Sequence, residues 1–179
     1  FDLNRIKTTA PVFDLQKLDW MNGQYLKRLS PPDLGLMMSD RSRAAVDYMG
    51  PLLEAVGERL KRSTDFDRWT GHFFETTLTY DAQLLIPAKR TKEEVLPVFQ
   101  KLRKALKKLR DPSLEAMEAA VREVAEKADY PVKDLFMTLR VAATGETASL
   151  PLFESIERLG RDATVARIDE ALGRLKQLR

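Results

Sequence analysis

The chain has 179 residues, which suits one compact domain or two small ones. Hydrophobic residues make up 44% and charged residues 32%, a composition typical of a soluble globular protein and too apolar for general disorder. There is no cysteine and one histidine, His72, so disulfide scaffolds, thiolate zinc sites and histidine-clustered metal sites are excluded. The formal net charge of +3 permits an anionic partner such as nucleic acid but does not require one.

The sequence shows neither a membrane span nor a secretion signal. No apolar run approaches the ~18 residues needed to cross a bilayer, and the first residues, FDLNRIKTT, lack the apolar core of a signal peptide. We therefore expect no membrane partner and a cytoplasmic location, which the absence of cysteine fits. Because the first residue is Phe and not Met, we expect a fragment or a processed product.

The first half of the chain reads mostly as helix. A helix is predicted over residues 14–29, with Asp14 as its N-cap. Further helical patterns cover residues 40–62, interrupted by a Gly-Pro pair, and a short stretch around 66–74. The apolar residues of the first helix that fall near one face are Leu15, Leu18, Tyr25 and Leu26, with Met21 and Trp20 beside it. We expect this apolar stripe to be buried.

Residues 75–90 are the weakest helical segment and the best candidate for a domain boundary. They contain several β-forming residues, but no second strand pattern exists with which they could pair. We therefore predict an irregular connection here.

The second half predicts a series of amphipathic helices from Thr91 onwards. Thr91 and Glu94 form a capping-box pattern, and Pro97 predicts a kink in the helix that follows. Later helix ends are marked by Asp111-Pro112-Ser113, by Pro131 at the first helical position, by Thr144-Gly145, by Pro151 and by Gly160. Because each apolar stripe must be buried, the sequence predicts an all-α fold, a helical bundle.

No catalytic constellation is found in the sequence. His72 lies in TGHFF and is best explained as a partly buried structural histidine. The acidic residues fall on the polar faces of striped helices, where solvated charge is the usual explanation. Neither a Walker motif nor GxGxxG is present.

Charge is concentrated in residues 89–110, which hold nine basic and two acidic residues. Residues 111–129 are acidic, with six acids and two bases. The favoured interpretation is that the two helices pair and neutralise each other. The alternative is a ridge that binds backbone phosphates. Its members would be Lys101, Lys104, Lys107 and Lys108.

Two further features permit either a structural or a binding role. Arg140, near a predicted helix end, is either a local ion partner or a planar donor fork for a base edge. The segment ETASLPLF is either an N-cap with a hydrophobic staple or an apolar platform for splayed bases.

Motifs at both ends of the chain resemble those of one family. The N-terminal block is FDLNRIKTTAPVFDLQKLDWMNGQYL, and the C-terminal blocks are TLRVAATG, LPLFESIERLG and ARIDEALGRL. Occurring in this order, they resemble the C-terminal half of bacterial glutamyl-tRNA synthetases. The middle of the chain, about 30–130, resembles the family in its pattern of helices more than in its residue identities.

The resemblance implies three parts. Residues 1–30 would end a stem-contact domain, 31–76 would form a first anticodon-binding helical domain, and 77–179 a second. The catalytic Rossmann domain is absent from this sequence, so the chain should bind tRNA(Glu), as a monomer, without activating glutamate. No cofactor belongs to this part, since ATP and Mg²⁺ would be used by the catalytic half.

The resemblance also implies site residues. The first two anticodon bases would be contacted by Arg140, Ser149, Leu150 and Leu152, in a loop whose proline stands one position later than in many members. Arg59 would read the third base, which is C for glutamate and G for glutamine. The rival interpretation is a stand-alone helical RNA-binding or protein-interaction module, and a class I lysyl-tRNA synthetase ranks a distant third.

Overall fold

The computed structural model describes residues 14–30, 33, 48–49 and 52–178. Within these residues the chain is helical and contains no strand, which confirms the all-α prediction. The helices with defined ends are α1 (Leu15–Leu26), α2 (Leu52–Arg59), α3 (Asp65–Thr70), α4 (Lys92–Lys108), α5 (Leu114–Lys127), α6 (Val132–Thr144), α7 (Leu152–Leu159) and α8 (Arg161–Gln177). Two 3₁₀ turns, Gly71–Phe73 and Ala82–Leu85, complete the regular structure of this part.

Most helix ends lie where the sequence predicts them because their signals are local. The carboxylate of Asp14 accepts hydrogen bonds from the backbone N–H groups of Gln16 and Lys17, at 2.9 and 3.1 Å. Gly145 and Gly160 end α6 and α7 with φ of 79° and 84°, a region that favours glycine. Other predicted ends are displaced. Pro131 and Pro151 are the N-caps of α6 and α7 and not their first helical residues, and α1 ends at Leu26 and not at residue 29. The predicted Gly-Pro interruption, residues 50–51, lies outside the described residues.

The larger hydrophobic core is formed by α4 to α8. Helix α8 packs against α4, α6 and α7, and α5 packs against α4, α6 and α7. The side chains at its centre are fully buried: Phe99, Leu102, Met117, Val121, Leu135, Leu139, Ile156 and Ile168. Because each helix contributes one apolar stripe, the bundle is the fold that the stripes predict.

A second hydrophobic cluster lies around α2 and α3. It contains Leu26, Met49, Leu52, Leu53, Val56, Leu60, Phe66 and Phe73. Its remaining buried member, Leu150, comes from the loop between α6 and α7 and is 0% exposed. That loop therefore ties the α4–α8 bundle to the N-terminal helices.

The segment between α3 and α4 is irregular, as predicted, apart from its 3₁₀ turns. Two arginines of α8 hold it. Arg167, only 7% exposed, donates to the carbonyl oxygens of Ala143, His72 (2.6 Å) and Glu75 (3.0 Å). Arg174 donates to the carbonyl oxygens of Leu78 and Tyr80. The connection is thus fixed by charge-assisted hydrogen bonds, together with the burial of Leu78 and Leu85.

The predicted burial of the apolar face of α1 is confirmed at Leu26 and is wrong for its other residues. Leu15, Trp20 and Tyr25 are 60%, 63% and 65% exposed, and within α1 only Gly23 and Leu26 are buried. The helix packs on the turn between α2 and α3 through Gly23, where a Cβ would lie 3.0 Å from the carbonyl oxygen of Leu60. A glycine allows backbone to approach this closely, so the contact side of α1 differs from its most apolar side.

Candidate nucleic-acid interface

Arg140 is held by the loop that follows its own helix. Its Nη1 donates to the hydroxyl of Ser149 at 2.6 Å and to the carbonyl oxygen of Leu150 at 2.9 Å. No carboxylate pairs with it among the residues that the structure describes. The local ion partner considered from the sequence is therefore not what is found, and Arg140 keeps an uncompensated charge that its loop orients.

The apolar side chains of that loop are not displayed to solvent. Leu150 lies in the α2–α3 cluster, while Leu152 and Phe153 are buried in the α4–α8 core. The interpretation as an exposed apolar platform is wrong, because these side chains begin α7 and pack inward from it. Any ligand contact of Leu150 or Leu152 would use backbone atoms, with Ser149 offering its hydroxyl beside them.

Arg59 is the last residue of α2 and is partly exposed. Its Nη1 donates to the carbonyl oxygen of Ala55 at 2.8 Å, and its guanidinium lies 5.9 Å from the centre of the Trp69 ring. Arg68 approaches the same ring at 5.5 Å. In the described part of the chain, neither arginine has a carboxylate partner.

The structure brings Arg59 and Arg140 into one neighbourhood. Burial is the main cause of a lowered pKa at Arg140, and the charge of Arg59 lowers it further. Two positive groups that act on each other, neither paired with a carboxylate among the described residues, favour an anionic or acceptor-rich ligand. We call the guanidiniums of Arg59 and Arg140 with the hydroxyl of Ser149 the two-arginine surface.

Helix α1 braces the turn that presents Arg59. The side-chain amide of Asn22 donates to the carbonyl oxygen of Lys61, and Arg62 forms a two-pronged ion pair with Asp19, both bonds at 2.9 Å. Within the turn, the carboxylate of Asp65 accepts from the backbone N–H groups of Lys61 and Arg62. These contacts hold the chain between α2 and α3 in one conformation.

The four predicted phosphate-binding lysines lie on α4 and are all exposed: Lys101, Lys104, Lys107 and Lys108. Over the described ranges, none of them forms an ion pair, and none is hydrogen-bonded to the two-arginine surface. The predicted neutralisation of α4 by α5 is wrong. The acids of α5 instead pair with bases one turn away on α5, as Glu123 does with Lys127. On α4, Arg103 pairs with Asp169 of α8 at 2.8 Å.

Two residues were missed in the sequence: Trp69, which lies beside Arg59, and Arg167, which anchors the connection before α4. Trp69 falls in a short helix with no clear periodicity, and Arg167 interrupts the apolar stripe of α8. For Arg167, the sequence offered one sign of a buried role, namely that this arginine occupies a position within the apolar stripe. His72 is buried as predicted, and its Nε2 has no hydrogen-bond partner among the residues described.

Comparison with known proteins identifies the type of domain. A family model described as an anticodon binding domain matches residues 10–172. The chain belongs to this anticodon-binding family. The assignment rests on most of the chain, and it agrees with the motif blocks at the two ends.

Relatives of this anticodon-binding chain are longer proteins. A glutamate–tRNA ligase of Dehalococcoides mccartyi is 32% identical over 99% of the chain and 39% of its own length. One of Pseudomonas putida is 30% identical over 96% of the chain and 35% of its own length. The chain thus spans less than two fifths of these curated relatives.

Solved structures share the fold of the anticodon-binding chain. The crystal structure of a glutamate tRNA ligase from Elizabethkingia meningosepticum in complex with its amino acid has a TM-score of 0.71 and 24% identity. The match covers 98% of this chain and 35% of that one. The glutamate–tRNA synthetase of Elizabethkingia anophelis aligns with a TM-score of 0.68.

Membrane spans and metal clusters are both missing from the described residues. No helix there is both long and apolar enough to cross a membrane. No group of three or more His, Cys, Asp or Glu side chains in that part is arranged to hold a metal ion.

Proposed function

We propose that this chain recognises the anticodon arm of tRNA(Glu) as the C-terminal part of a glutamate–tRNA ligase. The observation that carries the proposal is the two-arginine surface: Ser149 and Leu150 hold Arg140, the charge of Arg59 is near enough to act on it, and neither arginine has a carboxylate partner in the described residues. Its two guanidiniums carry only donors, and they are therefore suited to the acceptor atoms of bases and phosphates. The family match and the names of the relatives support the choice of tRNA as the ligand.

The proposal assigns each part of the chain to a different role within the whole enzyme. Residues 1–30 end the stem-contact part, 31–76 form a first anticodon-binding domain, and 77–179 form the second. The ATP- and Mg²⁺-dependent activation of glutamate belongs to the part that this chain does not span, so the chain alone is inactive. We further propose a monomer that works in the cytoplasm.

Arg59 is proposed to read the third anticodon base. Cytosine presents the acceptors O2 and N3 on its Watson–Crick edge, which match the donors of a guanidinium. Guanine presents N1–H and N2–H donors on that edge, so donors would face donors. A desolvated arginine left unpaired in this way disfavours glutamine tRNA.

Arg140 is proposed to serve the first two bases together with Ser149. Its bonds to the Ser149 hydroxyl and the Leu150 carbonyl use one nitrogen, Nη1. The remaining guanidinium donors stay available for base acceptors. Leu150 and Leu152 contribute backbone groups, because their side chains are buried.

The experiment uses two anticodon stem-loop RNAs that differ only in the third anticodon base, C or G. The parent chain should bind the C-ending RNA more tightly, and Arg59→Gln should reduce the ratio of the two affinities about tenfold. Gln carries both a donor and an acceptor, so it accepts either base.

Arg122→Gln is the matched control, because it removes one exposed arginine from α5, a helix that carries none of the proposed site residues. It should keep the affinity ratio of the parent. Equal binding of both RNAs by the parent chain would refute the assignment of Arg59. Binding no tighter than that of an unrelated stem-loop would refute the proposed function as a whole.

A further inference from the structure

The indole ring of Trp69 lies beneath the guanidinium of Arg59. It belongs to α3 and is partly buried against the α2–α3 cluster. Arg59 lies 5.9 Å and Arg68 5.5 Å from the ring centre. An indole offers the strongest ring face for a cation among the aromatic side chains.

An arginine at the end of a helix has several rotatable bonds and loses conformational entropy when it is held in one place. No carboxylate holds Arg59, as the described residues show, and its one hydrogen bond there goes to the carbonyl oxygen of Ala55 on its own helix. The indole of Trp69 is thus the contact from another element that restricts the guanidinium. A planar guanidinium over a ring also keeps its in-plane donors free.

We propose that Trp69 is a positioning residue for anticodon readout, whose indole holds the guanidinium of Arg59 where it meets the third base. This inference rests on the proposed function. Trp69 itself makes no hydrogen bond to the base. It sets the orientation from which Arg59 distinguishes cytosine from guanine.

The contact can be tested without RNA, because the chain has two tryptophans. Trp20→Phe removes the exposed one on α1 and leaves Trp69 as the single tryptophan fluorophore. In that background, Arg59→Gln should increase the quenching of Trp69 by acrylamide, since the guanidinium no longer covers the ring. Arg122→Gln should leave it unchanged. Unchanged quenching with Arg59→Gln would overturn the proposal.

The role in readout is tested with the same two stem-loops. Trp69→Leu removes the ring face and should reduce the affinity ratio about two- to fivefold, the range that one cation–π contact supplies. Trp69→Phe keeps a ring and should retain most of the ratio. Arg68→Gln removes the other cation on the indole and should leave the ratio unchanged.

Melting temperatures are measured beside each affinity, because Trp69 also packs against the α2–α3 cluster. Trp69→Met is the second ring-free variant, since its flexible side chain fills irregular space.

In the Arg59→Gln background, a further Trp69→Leu change should have no effect on the affinity ratio if Trp69 acts through Arg59.

The outcomes separate the two proposals. If the parent chain does not distinguish the two RNAs, the assignment of Arg59 fails and the role of Trp69 in readout fails with it. If the parent distinguishes them and folded ring-free variants distinguish them equally well, only the role of Trp69 is overturned. An undiminished effect of Trp69→Leu in the Arg59→Gln background also overturns it.

Discussion

His72 is a buried histidine whose protonation is opposed by its surroundings. It is 8% exposed, and burial lowers its pKa to about 4, with the charge of Arg167 acting in the same direction. Within the described ranges, its Nε2 has no hydrogen-bond partner that would favour the protonated form. The folded protein therefore keeps this side chain neutral where an unfolded chain would already protonate it.

The free energy of unfolding should fall as pH decreases from about 6.5, the ordinary pKa of histidine, towards about 4. In this window the unfolded state binds more protons than the folded state, so stability rises with pH and is fully present above 6.5. The free energy of unfolding then changes by up to about 1.4 kcal/mol per pH unit. Urea unfolding at pH values of about 7.0, 6.3 and 5.6, which bracket the ordinary histidine pKa, measures it.

His72→Gln provides the control for this dependence, because the chain has no other histidine. The variant should be nearly insensitive to pH over the same interval, whatever its absolute stability. Parallel dependences for parent and variant would contradict the assignment to His72.

At the scale of elements, α1 serves as a brace more than as a core helix. Except for Leu26, its apolar side chains are exposed, while Asp19, Asn22 and Gly23 contact the turn between α2 and α3. Glycine in the middle of a helix costs about 1 kcal/mol relative to alanine. Here it allows the turn to lie against the helix backbone.

Gly23→Ala should lower the free energy of unfolding by about 1 kcal/mol, because the added Cβ meets a backbone oxygen and overpacking outweighs the helix propensity of alanine. Gly173→Ala is the matched control, since a Cβ there meets nothing within 4 Å. It should raise the free energy of unfolding by about 0.5–1 kcal/mol. Chemical denaturation of both variants measures the difference, and equal signs would contradict the bracing contact.

Helix ends were predictable where their determinants are local. Asp14, Ser113 and Gly145 act on neighbouring backbone groups, and each marks an end in the structure. The buried side of α1 was not predictable, because it depends on which element packs there. The ion pair of Arg103 was not predictable for the same reason, since its partner Asp169 is distant in sequence.

At the scale of the whole molecule, the exposed lysines of α4 form a separate positive surface. Changing Lys101, Lys104, Lys107 and Lys108 together to Gln should weaken binding of all tRNAs alike. It should also flatten the dependence of log affinity on log salt, by up to about 0.7–0.9 for each phosphate that is no longer neutralised. Titrations of tRNA at several salt concentrations measure the slope.

A control quadruple variant changes four exposed lysines elsewhere, Lys27, Lys89, Lys133 and Lys176. It should reduce the salt dependence less than the α4 variant does. Equal slopes for the two variants would mean that net charge, and not a ridge on α4, determines the effect.

Arg140 and Ser149 could be nominated from the sequence because they occur in or beside motifs that resemble one family, and Arg59 because TGHFF aligns without gaps with an aromatic helix end of that family. Their proximity could not, since it depends on Leu150 inserting into the α2–α3 cluster. Trp69 lacked any motif, and its ring contacts exist only once α2 and α3 fold together. Residue types were thus readable from the sequence, while the distances between them required the fold.

The insertion of Leu150 has a kinetic consequence. This side chain packs the loop that carries Ser149 onto the helix that carries Arg59. If these residues read the anticodon as proposed, their spacing is set during folding, before any RNA binds. Binding then loses little protein entropy, and the RNA loop must adapt to the protein. Association should accordingly be a single fast phase whose rate follows the opening of the anticodon loop, and differences among anticodons should be expressed as residence times.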